Sequence, residues 1–437
     1  MAPEPLAPDT AAAHLEARSL DDPALRDFLA NDVALDVSKW PRSAWTLDDL
    51  TAVGLFYQPD VRVAEAAAAA ARAHVAAATQ LPNPVLSFAP QRVATPTAGV
   101  SPWLAVFQLD WTFETAGKRA HRRDAESARS RAAALAIPDA VWRVRAAVHS
   151  AVVSFSAAED RLASRRRVRD LEEELGELLA KRITAGALAE SDASQHHVAL
   201  LRARADAMSA ERQLLEARTR LAVAIGVPRA TLDGVVVAFR IDDPPVDIAR
   251  LSSGAARRAA LTGRADVRAM LEAYAAAESD LALELARQVP DLHIGPSYEF
   301  DQGSNKWGLL LALELPVLSR NEGAIDEALA RRAEIAARFE ALQARVISEL
   351  DLASARIDGA TEESLAAELL LAEARRRERA AAEAVELGAS DRVAFLDAEL
   401  EVERARALGV DAREHLHLAA AELERAVEPA RLFTERR

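Results

Sequence analysis

The chain is written twice. A stretch beginning at Pro59, PDVRVAEAAAAAARAHVAAATQLPNPVLSF, has a counterpart beginning at Ala265, ADVRAMLEAYAAAESDLALELARQVPDLHIGPSYEF. Both open on Asp-Val-Arg, run through Ala-rich sequence, stop at a proline (Pro82 and Pro290) and turn into alternating sequence. Further on, ITAGALAESD around Gly186 answers to ELGASDRV around Gly388, and LAVAIGVP ending at Pro228 answers to LERAVEP ending at Pro429. The offset stays between 201 and 208 residues along the whole comparison. Solenoid repeats have periods of about 20–50 residues, so this is the duplication of a whole folding unit.

Within each unit the hydrophobic period switches. Trp103, Ala105, Phe107, Leu109, Trp111 and Phe113 share one face of a strand, and Leu104, Val106, Gln108, Asp110, Thr112 and Glu114 share the other. In the second unit Leu292, Ile294, Tyr298 and Phe300 alternate with His293, Gly295, Ser297 and Glu299. After the turn DQGSN, Trp307, Leu309, Leu311, Leu313 and Leu315 again share a face. The first hairpin is expected to pair about 85–91 with 103–113 across the loop VATPTAGV. Such hairpins could simply lie half-buried on helices. Their apolar faces are long, however, carry Trp, Phe and Tyr near the strand ends, and back onto Asp110, Glu114 and Glu299. Strands of about 9–11 residues, apolar outside, polar inside and girdled by aromatics, suit the wall of a transmembrane barrel. Four strands cannot close one, so several chains would have to contribute.

The rest reads as helix. Half of the residues are hydrophobic but only 5% aromatic, and 28% are charged, a composition of long Ala-rich helices. From Thr115 to about Arg182 a continuous helix would span on the order of 100 Å, and Asn321 to Glu386 is similar. The shorter helices, roughly 59–80 and 189–225, together span ~85–90 Å and could stack to match one long helix. Val141, Val144, Val148, Val152 and Phe155 supply a packing face, and Pro138 should kink or break the first long helix. The chain therefore divides into an N-terminal segment (1–58), a first repeat (59–228, hairpin 85–113, turn near 186), a linker (229–262), a second repeat (263–428, hairpin 292–315, turn near 388) and a tail (429–437). The segment, linker and tail are expected to form a belt around the middle of the helical part.

Several functions are excluded. A net charge of −14 disfavours nucleic acid as a partner, so Arg165, Arg166, Arg167 and Arg169 read as a solvated helix face. With no cysteine, disulfides, thiolate metal sites and Cys nucleophiles are absent. His196-His197 and His415-x-His417 lack the i,i+4 spacing of a helical chelate and read as surface histidines. Neither the ESD at 190–192 nor the glycine–serine turn around Gly303 offers a nucleophile with a base. No enzyme activity, metal or cofactor is expected. No run of 18 apolar residues predicts a transmembrane helix. The N-terminus MAPEPLAPDT has no secretory-signal pattern, which taken alone suggests a cytoplasmic chain.

The ordered set of LPNPVLS before the first strand, ETAGKRAHRRDAESA after the second, PVLSRNEGAIDEA after the fourth, and the two glycine turns followed by Ala/Leu-rich helices resembles the outer membrane efflux protein family, the TolC-like exit ducts. The resemblance covers about 45–430, and ETAGKR looks like the branch serving heavy-metal and related pumps. It implies a mainly α chain, a tandem-duplicated long-helix barrel whose four strands join those of two other copies in a trimeric, twelve-stranded transmembrane β-barrel. It implies an outer-membrane location with a helical tunnel in the periplasm. The implied partners are outer-membrane lipid, a periplasmic membrane-fusion adaptor and an inner-membrane pump of the resistance-nodulation-division type. The duct would pass small molecules or metal ions, or serve type I secretion. The competing reading is a soluble periplasmic or cytoplasmic long-helix scaffold.

On that resemblance, Gly186 and Gly388 mark tip turns that contact adaptor and pump. Asp192 and Asp397 are the candidates for an acidic tip constriction. Trp103, Phe107, Trp111, Phe113, Tyr298, Phe300 and Trp307 form the lipid-facing girdle. Gly117, Lys118, Arg119 and Arg122 form the barrel-to-helix corner. The cations there, Arg123 included, oppose the helix dipole and are expected to meet lipid headgroups or carboxylates of a neighbouring chain.

Overall fold

The computed structural model describes residues 7–96, 98–245 and 248–427, without the side chains of 190–193. Short helices come first: α1 (Pro8–Glu16), α2 (Pro23–Asn31) and α3 (Leu47–Tyr57). The first repeat follows as α4 (Pro59–Ala78), β1 (Val85–Arg92), β2 (Trp103–Phe113), α5 (Lys118–Thr184) and α6 (Glu190–Ile225). A 3-10 turn (Arg229–Leu232), α7 (Ile248–Leu251) and α8 (Gly254–Gly263) lead to the second repeat. It comprises α9 (Ala265–Ala286), β3 (Leu292–Asp301), β4 (Ser304–Leu313), α10 (Glu322–Glu386) and α11 (Arg392–Val427). The duplication is visible in the lengths: the long helices have 67 and 65 residues, and the helices after the turns have 36 each.

Residues 63–138 and 265–344 form one compact unit, and the remainder forms a second. The first unit contains the sheet, an antiparallel meander in the order β1-β2-β3-β4. Both hairpins are where the alternation puts them, with Phe88 opposite Phe107 and Tyr298 opposite Trp307. The second turn is tighter than DQGSN suggests. Asp301 pairs with Ser304, leaving Gln302 and Gly303, both with positive φ, as a two-residue loop matching the right-handed twist of the strands. Strand β4 ends at Leu313, so Leu315 lies beyond it.

The second unit is built on helix packing. Leu171, Leu175 and Leu179 of α5 interlock with Leu396 and Leu400 of α11, all 5% exposed or less. Spacing by four keeps each set on one face. Elsewhere in this unit, α3 begins on a capping box in which Thr46 and Asp49 exchange hydrogen bonds of 3.2 and 3.0 Å. It brings Leu50 and Val53 to full burial. At Gly54 a Cβ would meet Val144 and Val148 of α5 at 3.0 Å, so only glycine lets this helix lie so close. The strap after α6 pairs Val237 with Trp45 and buries Ile241 against Ala157 and Val410.

Three expectations are corrected. Of the kink or break expected at Pro138, the break is absent: helix α5 continues through it, since the proline removes one backbone donor and the rest of the ladder holds the turn. His417 is buried rather than superficial. It bonds the Ile241 carbonyl oxygen at 3.1 Å and packs edge-on to Phe239, and burial pushes its pKa below the ordinary imidazole value. Its neighbour His415 is exposed beside Glu363, because positions two apart on a helix point to different sides. The third correction concerns the cationic corner.

Candidate functional surfaces: the sheet, its corner and the helix turns

One face of the sheet is apolar and open to solvent in the single chain. Trp103, Phe107, Trp111 and Phe113 are 42–53% exposed, Trp307 is 80%, and Tyr298 and Phe300 are partly covered by neighbouring strands. Register aligns Phe88, Phe107, Tyr298 and Trp307 in one row across all four strands, with successive ring centroids 4.5, 6.2 and 4.9 Å apart. Aromatic pairs at such separations stabilise beyond the area they bury. The seven residues expected to form a girdle thus share one surface. Edge strands β1 and β4 each leave one side without a partner among the described residues.

The opposite face is polar. Asp110 on β2 and His293 on β3 approach to 3.2 Å, with the Thr112 hydroxyl 3.4 Å from the same imidazole nitrogen. At the turn end of β3 and β4, Lys306 donates to Asp301 at 2.6 Å and stands 3.7 Å from Glu299.

At the corner between β2 and α5, Ala116 and Gly117 both have positive φ, so the chain reverses over two residues and not at the glycine alone. Three of the four cations there, Lys118, Arg122 and Arg123, find carboxylates in their own chain. Lys118 is buried and donates to Asp291 at 2.7 Å, and the Thr115 amide donates to the same oxygen at 2.9 Å. Arg122 grips Glu114 through two bonds of 2.5 and 3.1 Å, which raise the arginine's pKa. Arg123 pairs with its neighbour Asp124, and Arg119 is exposed. The mismatch with the helix dipole is therefore met internally at Lys118 and Arg122. Asp291 is the hub that inspection of the sequence overlooked; its one signal was a carboxylate directly after the proline that ends α9. Burial pushes its carboxyl up, but the bonds from Lys118 and the Thr115 amide outweigh this and hold it below the ordinary aspartate value. In the second repeat Asn321 makes the matching positive-φ corner, and its side-chain amide donates to the Glu284 carbonyl and carboxylate at 2.9 and 2.8 Å.

The two glycine turns are built alike. Gly186 and Gly388 have φ of 70° and 69°. Ala187 donates to the Arg182 carbonyl and Ala389 to that of Ala384, the six-to-one bond of a Schellman ending. Asp391 then caps α11 through the Ala394 amide at 3.0 Å and pairs with Arg182 at 2.8 Å, which hold its pKa low. Leu387 is 76% exposed beside Gly388. Asp397 is exposed on α11, near buried Glu172 of α5. Burial chiefly raises the Glu172 pKa, Asp397 adds to the rise, and Arg404 at 3.8 Å opposes it. Asp192 lies in α6, and its side chain is outside the described residues.

No helix among the described residues is long and apolar enough to cross a membrane. The sheet is apolar and aromatic on one face, polar on the other and open at both edges, and each hairpin leads into a helix of more than sixty residues. The sequence matches the outer membrane efflux protein family over residues 55–227 and 256–427, one match per repeat. The chain belongs to that family and is an outer-membrane efflux channel, not a soluble scaffold. Solved structures share the fold. A membrane protein from Pseudomonas aeruginosa is 22% identical with a TM-score of 0.73, over 87% of this chain and 92% of that one. The outer membrane protein VceC of Vibrio cholerae is 17% identical with a TM-score of 0.71, over 87% and 95%. The outer membrane channel CmeC of Campylobacter jejuni is 14% identical with a TM-score of 0.73, over 91% and 90%. No curated protein matches the chain by sequence.

Proposed function

We propose that three copies of this chain close into one twelve-stranded barrel and form the exit duct of a tripartite efflux system. The observation that carries this is the sheet with two unpaired edges and an exposed aromatic face. In lipid every backbone donor and acceptor needs a partner, so β1 of one copy must pair with β4 of the next until the ring closes. The girdle residues then face acyl chains and headgroups, and the polar face lines the lumen. The long helices continue as a periplasmic tunnel, with the described parts of 1–58 and 229–262 as its belt; the tail, 429–437, expected to join it, lies outside the described residues. The turns at Gly186 and Gly388 meet a periplasmic adaptor and a pump of the resistance-nodulation-division type. Asp192 and Asp397 line the closed end. The cargo is a small molecule or a metal ion, chosen by the pump, and the duct itself performs no reaction.

The chain has no native cysteine, which makes the closure testable. Single cysteines introduced in pairs, one along β1 and one along β4, should give on oxidation a covalent trimer and nothing larger. An open ladder of higher oligomers, or a monomer extractable without detergent, would sink the proposal.

A further inference from the structure

The corner at the end of β2 packs on the segment that enters β3. The Thr115 amide and the Lys118 ammonium donate to the Asp291 carboxylate at 2.9 and 2.7 Å, and the Thr115 hydroxyl donates to the Pro290 carbonyl at 2.7 Å. The duplication supplies a second version of each part. Glu322 opens α10 directly after positive-φ Asn321, as Lys118 opens α5 directly after positive-φ Gly117. Asn83 follows Pro82 at the entry to β1, as Asp291 follows Pro290 at the entry to β3. In the sheet order β1-β2-β3-β4 this second pair of parts stands at opposite edges, so they do not meet within one chain. Glu322 and Asn83 are exposed, and neither side chain has a partner among the described residues. The second corner is also longer, eight residues (314–321) against four (114–117). The addition is apolar: Leu315, Val317 and Leu318 are all exposed, Leu318 at 99%. Leu81, just before Pro82, is exposed as well.

We propose that the β4–α10 corner is a socket for the β1 entry of a second copy of this chain, with the Asn83 amide of one copy donating to the Glu322 carboxylate of the next and Leu81 seated on Val317 and Leu318. The inference rests on the closed-barrel reading, because β1 must lie beside β4 of the adjoining copy for the two parts to meet. The seam within the chain is closed by an ion pair. The seam between copies is closed by an amide–carboxylate bond and by apolar contact, a donor meeting a group that only accepts. Lipid could cover the leucines, but it leaves Asn83 and Glu322 without a role at the two positions where the duplication places them. Fastening the entry to the corner also sets the register in which the edge strands pair. A slip of one residue there would turn the apolar face of one strand toward the polar side.

The test uses the full-length oligomer in detergent. Leu81→Cys and Leu318→Cys in the same chain should give a covalent trimer on oxidation, since a disulfide needs Cα atoms within about 7 Å. Asn83→Asp sets two carboxylates against each other and should lower the melting temperature of the oligomer by a few degrees. Adding Glu322→Lys re-creates at this seam the kind of pair that Lys118 and Asp291 make within the chain, and should restore the parental melting temperature. With Glu322→Lys alone as the fourth corner of the cycle, the two substitutions should be non-additive. Additive effects overturn the inference and leave the duct standing. So do copies that link through cysteines on β1 and β4 but not through Leu81→Cys and Leu318→Cys. Quenching of a fluorophore on Leu318→Cys by brominated lipid, without the cross-link, gives the patch to lipid and overturns the socket too. Absence of any link between β1 and β4 overturns the duct reading, and the socket with it.

Discussion

Gly295 stands where β2 and β3 come closest. A Cβ at this position would lie 1.5 Å from the Leu109 carbonyl oxygen, a backbone atom that cannot swing aside. The β2–β3 ladder skips Leu109 and Asp110 here, opposite Pro296 and Gly295, since proline has no donor to contribute. Gly295→Ala should cost on the order of 3–5 kcal/mol and abolish the heat-stable oligomer on gels. Alternation showed that Gly295 belongs to the polar face, but the need for glycine arises from a neighbouring strand that only the fold brings there. Lys118 is the second single residue with a large expected effect. Lys118→Met leaves the Asp291 carboxylate without its ammonium, at a cost of about 1–3 kcal/mol at neutral pH. The folded pKa of Asp291 lies below its unfolded value. The stabilisation is therefore complete above about pH 4 and is lost as pH falls through the folded value. Thermal melting of the detergent-solubilised oligomer should separate variant from parent at pH 7, with the gap narrowing below pH 4.

At the level of elements, strand β4 separates a barrel wall from a soluble surface. Leu309 is 71% exposed in the single chain. On a water-facing surface Leu309→Lys would change stability by less than about 0.5 kcal/mol. On the lipid face of a barrel it should cost about 2–4 kcal/mol near the bilayer midplane. Folding into vesicles, followed by denaturant titration, measures which. The helices were more readable than their ends. Their spans follow from Ala-rich sequence, the stop at Pro82 and Pro290, and the glycine turns, and the structure reproduces them within a few residues. At Pro138, where the sequence predicts a kink or a break, helix α5 stays continuous, because a helix of 67 residues loses one donor there and keeps its remaining hydrogen bonds. The burial of His417 was also illegible: it depends on the strap at Phe239–Ile241, distant in sequence, folding over α11.

For the whole molecule, the proposed duct depends on joining other chains at two places, the sheet edges and the helix turns. The Leu387 side chain is 76% exposed beside Gly388, while its amide donates to the Glu383 carbonyl at 3.0 Å. Leu387→Asp should therefore leave the trimer and its bilayer conductance intact while eliminating cross-links to the adaptor and lowering export in cells. Loss of the trimer instead would place Leu387 inside the assembly. The sequence by itself determined the duplication, the strand and helix periods, the aromatic face and the two glycine turns, because these follow from side-chain spacing and local backbone preference. Only the tertiary structure decided that Lys118 and Arg122 spend their charge on Asp291 and Glu114, that Asp110 meets His293, and that Gly295 admits no side chain. Apart from Arg122–Glu114, which closes across one corner, those pairings join residues remote along the chain, and spacing within one segment carries no information about which remote segment will lie beside it.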